Sequence, residues 1–544
     1  MSKSKSYIPV DGIAGLKENF SKDATAGFLV FLLALPLSLG IAKASDFPAI
    51  FGLVTAIIGG VVVSFFAGSR LTIKGPAAGL IVICSGAVTE FGGGEMGWHI
   101  ALGAILVAGI VQVAFGLLKL GKLSDFFPSA AIHGMLAAIG IIIMSKQIHG
   151  LLGINPAELK GKEPLELIAM IPSSIMHENA HITEIGLACL SIMGIFSLIK
   201  NKFIRKIPAP LVVLIVAVPL GIALHIKTEG AIQNFALVKV GNIFEAFKNQ
   251  IIKVDFSGIT SHTFGFIEYV VLFALIGSIE SLLTAKAIDG MDPYKRISNF
   301  NKDLYAVGIG NVVSSLFGGL PMISEVARSS ANVGYGAKTR WANFFHGILL
   351  LIAVLVAVPL IEMIPNAALA AMLTFVGFRL AHPREFLHMW HVGKEQFIIF
   401  VSTIIITLAT DLLLGVAFGV LIKMIIHLLN GAGLKNMFKS NVNIETNEEL
   451  IIVKINGASV FTNLIPLKNK LMKLPVSKKV IIDVSATLIV DHTTIVALND
   501  ITENYHRAGG VMEVKGFENH RQLSNAPTST RILKQETRQS NVFA

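Results

Sequence analysis

Within an otherwise apolar stretch, Ile279-Glu-Ser-Leu-Leu-Thr284 places a carboxylate four residues before a threonine hydroxyl. On a helix those positions share one face. A carboxylate inside a membrane segment costs about 2.5–3.5 kcal/mol on insertion scales, so Glu280 is expected to face a cavity, a proton, a cation or a basic partner. Glu280 and Thr284 together suit H⁺ or Na⁺. The structural alternatives are an ion pair locking two helices for Glu280, and a bond to its own backbone for Thr284.

A second constellation is Pro321-Met-Ile-Ser-Glu-Val-Ala-Arg328. If a helix starts at Pro321, Ser324 and Arg328 stand at i, i+4 and Glu325 and Arg328 at i, i+3, so all three crowd one side of its first two turns. A helix start in mid-membrane offers unpaired N–H groups and a positive dipole end to an anion. Arg328 adds a charge that bonds an oxyanion in bidentate fashion, unless it neutralises Glu325 or snorkels to the cytoplasm. Glu325 is read evenly as coupling site or structural partner. A matching interruption, Lys74-Gly-Pro-Ala-Ala-Gly79, supplies the opposing helix start, whose small residues Gly75, Ala77 and Ala78 around Pro76 let backbone approach a ligand closely. Lys74 is either a third attraction for the anion or a cytoplasmic charge beside Arg70. Leu35-Pro-Leu-Ser38 marks a helix kink near the same place. With Lys74, Arg328, Glu280 and Glu325 around one cavity, the empty site is near neutral, and a bound anion calls for a cation to enter with it.

The elements that position these residues are membrane helices. The 544 residues are 53% hydrophobic and only 15% charged, with a mean hydropathy of +0.69. That is too apolar for a water-soluble globule. Spans of roughly 20 residues fit a hydrocarbon core of about 30 Å. They recur near 24–42, 49–67, 76–90, 97–119, 129–150, 183–200 and 208–226, then near 264–288, 303–318, 322–334, 341–363, 366–380, 395–410 and 412–430. The fold class is thus a polytopic α-helical membrane protein of seven plus seven segments. The glycine and proline interruptions fall on the third segment of each half, which points to an inverted repeat with a ligand at the broken helices.

The net charge of +10 is topological. Lys3, Lys5, Lys17, Lys22, Arg70, Lys119, Lys122, Lys200, Lys202, Arg205, Lys206, Lys295, Arg296, Lys302, Lys338, Arg340, Arg384 and Lys394 fall on one side. The opposite connections carry Glu90, Glu95, Glu362 and Asp411. The positive-inside rule then puts both termini in the cytoplasm. No basic patch lies beside exposed aromatics, so nucleic acid is not an expected partner. Cys84 and Cys189 lie in apolar segments and read as core residues. Residues 1–23 lack an apolar core followed by a cleavage site and read as a cytoplasmic segment.

After the transmembrane domain at 24–430, with repeats at about 24–226 and 264–430, the pattern changes to strand, helix, strand, helix, strand over 441–521. The sequence offers no nucleotide loop, since Gly334-Tyr-Gly-Ala-Lys-Thr339 lacks the spacing of one. Residues 522–544 read as a loose polar tail. No triad, zinc motif or paired-acid spacing suggests an enzyme.

Taken together, Asp23-Ala-Thr-Ala-Gly27, Gly75-Pro76, Ile279-Glu-Ser-Leu-Leu283, the Gly318-Gly-Leu-Pro321 turn through Arg328, and the C-terminal α/β domain resemble a bacterial member of the SulP (sulfate permease) anion transporter family with a STAS domain. The resemblance implies core and gate domains, elevator-type alternating access, a homodimer in the inner membrane and a small inorganic anion, sulfate or bicarbonate, as substrate. It implies an anion held by backbone N–H groups of Ala77, Ala78, Ser324 and Glu325 with Arg328 close by, and Glu280 linked to H⁺ or Na⁺ coupling. Glu280 and Thr284 match the Na⁺-binding acid and threonine of cyanobacterial bicarbonate symporters. Ser324-Glu-Val326 departs from those symporters and tilts the expectation toward H⁺. Asp491-His-Thr-Thr494 matches the segment that carries a phosphorylated residue in soluble STAS regulators, with Thr493 the candidate here and a dimer-contact or regulatory role the alternative. C4-dicarboxylate transport, a nucleobase permease of the same architecture and an anion-sensing signalling protein stay open. No resident cofactor is expected, and the remaining partner is membrane lipid.

Overall fold

In the computed structural model of the protein the described residues are 8–122, 128–159, 162–201, 204, 207–227, 235–241, 253–410, 412–439 and 441–534. Lys3, Lys5, Lys202, Arg205, Lys206 and Asp411, which entered the charge argument, lie outside them, as do the first residues of the 1–23 segment and the last of the 522–544 tail. The chain forms two compact units, Met1–Ser124 with Ile139–Leu380, and Asp125–Ala138 with Ala381–Ala544.

In the first unit α1 spans Gly12–Ala44, α2 Ala49–Val61, β1 Ile73–Pro76, α3 Ile81–Glu90 and α4 Gly94–Leu117. Helix α5, Ser129–Leu151, contributes its part from Ile139 onward, followed by α6 Pro164–Met176, α7 Ala180–Leu198 and α8 Ala209–Ala223. Then come α9 Thr263–Met291, α10 Phe300–Leu316, β2 Met322–Glu325, α11 Val326–Gly334, α12 Trp341–Val356 and α13 Asn366–Leu380. Among the described residues six helices are long and apolar enough to cross a membrane, α1, α4, α5, α7 and α9 here and one in the second unit. The other expected spans are shorter helices or a strand followed by a helix.

Two expectations change here. Residues 12–22 are no separate segment. Asp11 caps α1 by accepting the Gly12 N–H, and the helix runs straight into the first span. Its course is fixed by Asp23, which accepts the N–H of Lys338 at 2.7 Å and the Thr339 hydroxyl at 2.5 Å. The third and tenth spans do not begin as helices at Pro76 and Pro321. They begin as strands β1 and β2, because backbone beside Gly75, Pro76 and Pro321 pairs across the two halves before either helix starts. Helix α6 is an addition that hydropathy did not mark. Cys84 and Cys189 are free and buried.

The second unit holds α14 Pro383–Val392, α15 Lys394–Ala409, α16 Leu412–Leu429 and a C-terminal α/β domain. That domain contains β3 Asn441–Thr446, β4 Leu450–Ser459, α17 Leu464–Leu471, β5 Lys479–Asp483, β6 Thr487–Val490, α18 His492–Arg507, β7 Met512–Lys515, β8 His520–Gln522 and β9 Arg531–Leu533. The strand order is β7-β5-β4-β6-β9-β8, with β3 antiparallel to β4. Strands β4 to β7 are mutually parallel, as a βαβ rhythm requires. Alternate residues Ile451, Val453 and Ile455 of β4 enter a core with Leu467, Val480 and Leu498. The expected loose tail from 522 is corrected. Arg531–Leu533 pairs with β6 and β8, so the domain runs to at least Lys534.

A buried ion pair sits inside this unit. Lys423 of α16 contacts Asp491 at 2.8 Å with both side chains fully buried, and His427 one turn on lies 3.4 Å from the same carboxylate. Asp491 also caps α18 through the Thr494 N–H at 2.8 Å and accepts the Phe461 N–H at 3.2 Å. Thr493 is half-buried, and its hydroxyl accepts from Lys423 at 2.8 Å. Burial opposes the charge on Asp491, yet Lys423 and His427 hold its carboxyl well below the ordinary value of 3.8. A carboxyl depressed on folding stabilises fully above its unfolded value, and the contribution declines as pH falls below it. Asp491→Asn leaves Lys423 a buried unpaired cation at a cost of about 3–5 kcal/mol. Thermal unfolding of the full chain in detergent is expected to show a lowered midpoint for this variant, constant from about pH 7 to 5 and narrowing below about pH 4. A pH-independent difference would contradict this assignment.

Candidate functional site

Strands β1 and β2 pair antiparallel with Ile73 opposite Glu325, Lys74 opposite Ser324, Gly75 opposite Ile323 and Pro76 opposite Met322. Helix α11 leaves the ribbon beyond Glu325. A 3-10 turn, Ala78–Leu80, followed by α3, leaves it beyond Pro76. The two helices therefore depart from opposite ends, and both present their N-termini toward the ribbon. The first N–H groups of each have no acceptor within their own helix.

Irregular backbone at membrane depth survives only where protein groups satisfy it. Here side chains do so. The outward N–H of Lys74 goes to Asn343 Oδ1 at 3.2 Å, that of Ser324 to Ser281 Oγ at 3.1 Å and that of Met322 to Asn311 Oδ1 at 2.6 Å. Opposite Met322, Pro76 has no N–H to satisfy. Ile73 donates to Ser329 Oγ, and Leu320 to Thr55 Oγ1.

Lys74 is neither a free attraction for an anion nor a cytoplasmic charge. Fully buried, it donates to both oxygens of Asp303 at 2.9 Å, to Thr72 Oγ1 at 2.6 Å and to Ser324 Oγ at 2.6 Å. Asp303 in turn accepts from the N–H groups of Gly68 and Ser69 and from Ser324 Oγ. The pair closes on itself and pins α10 to β1 and β2.

Ser324 is consumed by the same network. Its N–H and its hydroxyl are both engaged within the protein, and it stands on a strand, so the helical spacing to Arg328 read from the sequence does not hold. Glu325 is the N-cap of α11, accepting the Arg328 N–H at 2.7 Å with Oε2. A carboxylate at that position satisfies a helix-start donor and complements the dipole.

Two opposite charges remain available. Arg328 is fully buried, and its Nε, Nη1 and Nη2 have no hydrogen-bond partner among the described residues. Glu280 is buried on α9 with Oε1 unpartnered among the described residues, and so is the Thr284 hydroxyl one turn on, so the alternative backbone bond for Thr284 is not made. Gly75 and Gly79 give both charges their room. A Cβ on Gly75 would lie 2.8 Å from Arg328 Nη1, and one on Gly79 would overlap the Glu280 carboxylate. On α1, Pro36 sits inside the helix and the buried Ser38 hydroxyl is unpartnered.

The structure therefore brings Gly75, Pro76, Ala77, Ala78, Arg328, Glu280 and Thr284 around one ribbon and assigns Ser324, Glu325 and Lys74 to its framework. Sequence reading missed Asp303, Ser281 and Asn343. Asp303 was visible as an acid opening an apolar span. The partners of Ser281 and Asn343 lie 43 and 269 positions away, beyond any local signal.

Gly75→Ala is expected to leave the thermal midpoint in detergent within a few degrees of the parent while weakening anion binding about tenfold, because the added methyl displaces only the end of the Arg328 side chain. Gly79→Ala, which crowds the Glu280 carboxylate, should spare anion binding and instead alter its dependence on Na⁺ or pH. Isothermal titration with sulfate and with bicarbonate, at varied Na⁺ and pH, checks both.

A family model described as the sulfate permease family matches residues 20–403. Sulfate transporter 4.1, chloroplastic, of Arabidopsis thaliana is 26% identical over 90% of this chain and 74% of its own. Among solved structures, the transmembrane domain of a cyanobacterium bicarbonate transporter, BicA, superposes with a TM-score of 0.63 at 25% identity, covering 74% of this chain and 97% of that one. Murine Solute Carrier 26 family member A9, an anion transporter in the inward-facing state, gives 0.64 at 16% identity over 91% of this chain and 85% of its own, a likeness of fold alone. The C-terminal sheet fits a STAS-like domain. The family match takes in both strands of the ribbon and both available charges, and the chain belongs to the sulfate permease family of membrane anion transporters.

Proposed function

We propose that this protein is a secondary active transporter of a small oxyanion, sulfate or bicarbonate, held between the starts of α3 and α11 and moved together with H⁺ or Na⁺. The observation that carries the reading is the Arg328 guanidinium, fully buried with every nitrogen unpartnered among the described residues. A buried guanidinium without hydrogen-bond acceptors is costly, and an oxyanion lying against Gly75 offsets that cost with charge-assisted hydrogen bonds. Helix N-termini on both sides add donors and a favourable field. The sulfate and bicarbonate named for the relatives match this chemistry.

Glu280 and Thr284 supply hard oxygen donors one turn apart, suited either to Na⁺ or, at the carboxylate alone, to a proton. Bringing the cation in with the anion keeps the occupied site near neutral. The reading includes elevator-type movement of the ribbon with its helices, a homodimer, and a bacterial inner membrane with both termini in the cytoplasm.

Uptake of labelled sulfate and bicarbonate into proteoliposomes under imposed Na⁺ or H⁺ gradients tests it. Arg328→Ala is expected to lower uptake at limiting anion by about 10–100-fold, the loss of one charged hydrogen-bonding group. Glu280→Gln is expected to abolish the dependence on the cation gradient while anion exchange persists. Normal gradient-driven transport by both variants would overturn the assignment. Binding without counterflow in the parent would make the protein a sensor instead.

A further inference from the structure

His346 on α12 is fully shielded, and neither Nδ1 nor Nε2 has a hydrogen-bond partner among the described residues. Leaving a buried polar group unpaired costs about 1–3 kcal/mol, so a residue needed only to fill space here would be better apolar. The carbonyl of Asn343, one turn back, draws the ring without reaching hydrogen-bond geometry.

His346 packs against α1, where an added Cβ on Gly27 would fall 3.0 Å from its backbone nitrogen, and its neighbour Asn343 reaches the ribbon. Asn343 and His346 stand at i, i+3 on one face of α12. That face meets β1, because Asn343 Oδ1 takes the Lys74 N–H while its Nδ2 donates to Gly59 O and to Ser64 Oγ, both at 2.9 Å. Gly347 allows α12 to touch α2 at Gly60, where an added Cβ would fall 2.5 Å from the Gly347 Cα. Arg328 ends at Gly75, the residue after Lys74, so α11 and α12 converge on the same two positions of β1 from different elements. Arg328 is also the charged side chain that acts electrostatically on His346. The other nearby charges are engaged or lie elsewhere. Lys74 is closed by Asp303, Glu325 caps its own helix, and Glu280 rests on Gly79.

We infer that His346 is an anion-binding residue, the second side chain that, with Arg328, holds the transported oxyanion. The guanidinium nitrogens are all donors and the imidazole offers an N–H donor beside an acceptor nitrogen, and none of them has a partner among the described residues. A ligand with several acceptor oxygens satisfies them together, whereas they leave each other unsatisfied as they stand. The ligand class is a small oxyanion able to accept bonds from two directions, with the planar guanidinium on one side and an imidazole N–H on the other. This inference rests on the anion reading of Arg328.

The test compares His346→Met, which keeps bulk but removes the donor, with His346→Gln, which keeps a donor, in proteoliposome uptake of labelled sulfate and labelled bicarbonate at saturating cation gradient. Arg328→Ala runs in parallel, and thermal unfolding in detergent reports folding. His346→Met is expected to raise KM about tenfold or more with the maximal rate within threefold of the parent, and His346→Gln to restore KM to within threefold. Where methionine prevents folding, His346→Ala removes the ring without adding volume and carries the same expectation. KM within threefold of the parent for the donor-free variant, while Arg328→Ala loses uptake, overturns the role of His346 and leaves the anion site standing. Normal uptake by Arg328→Ala overturns the anion site itself, and the role of His346 with it.

Discussion

A two-stranded ribbon within a membrane domain carries N–H and C=O groups that lipid cannot satisfy, and each unsatisfied group costs several kcal/mol. The surrounding helices are arranged around meeting that demand. Asn343 from α12, Ser281 from α9, Asn311 from α10 and Thr55 from α2 each bring one polar side chain to one backbone group of the ribbon or the turn before it. These polar contacts fix how each helix is rotated against the ribbon.

The Lys74–Asp303 pair extends the same logic to charge. Two ions taken out of water break even only when the geometry is good and the remaining donors and acceptors are filled. Thr72, Ser324 and the N–H groups of Gly68 and Ser69 fill them. A closed pair of this kind contributes no net charge to the cavity. The site is left with Arg328 and Glu280 as its open charges, one reaching β1 at Gly75 and the other the turn into α3 at Gly79. Under the proposed transport reading, anion and cation would bind at neighbouring but separate points of one framework. The buried Lys423–Asp491 pair plays a comparable organising role in the second unit, where one carboxylate caps α18 and at the same time neutralises a lysine of α16.

Much of the architecture was legible because hydropathy is a local property. Each expected span coincides with a helix or a strand-and-helix segment, and the βαβ rhythm of the C-terminal domain follows from residues adjacent in sequence. The additions are elements with weak local signals. Strands β8 and β9 are only three residues each, and they are strands because β6 offers an edge to β9 and β9 in turn pairs with β8. Helix α6 is too short and too mixed for a hydropathy window.

The sequence by itself singled out Glu280, Thr284 and Arg328 as candidates, because a polar or charged group in an apolar run is expensive wherever the chain goes. Which charges stay open was decided only by the tertiary structure. Lys74 and Arg328 look alike in sequence, each a base beside a broken span, yet Asp303 reaches one and nothing among the described residues reaches the other. Ser324 and Glu325 were drawn from a ligand role into the framework by a strand that forms only when the two halves meet. Whether a buried charge is satisfied depends on partners from distant segments, and sequence spacing within one element cannot carry that information.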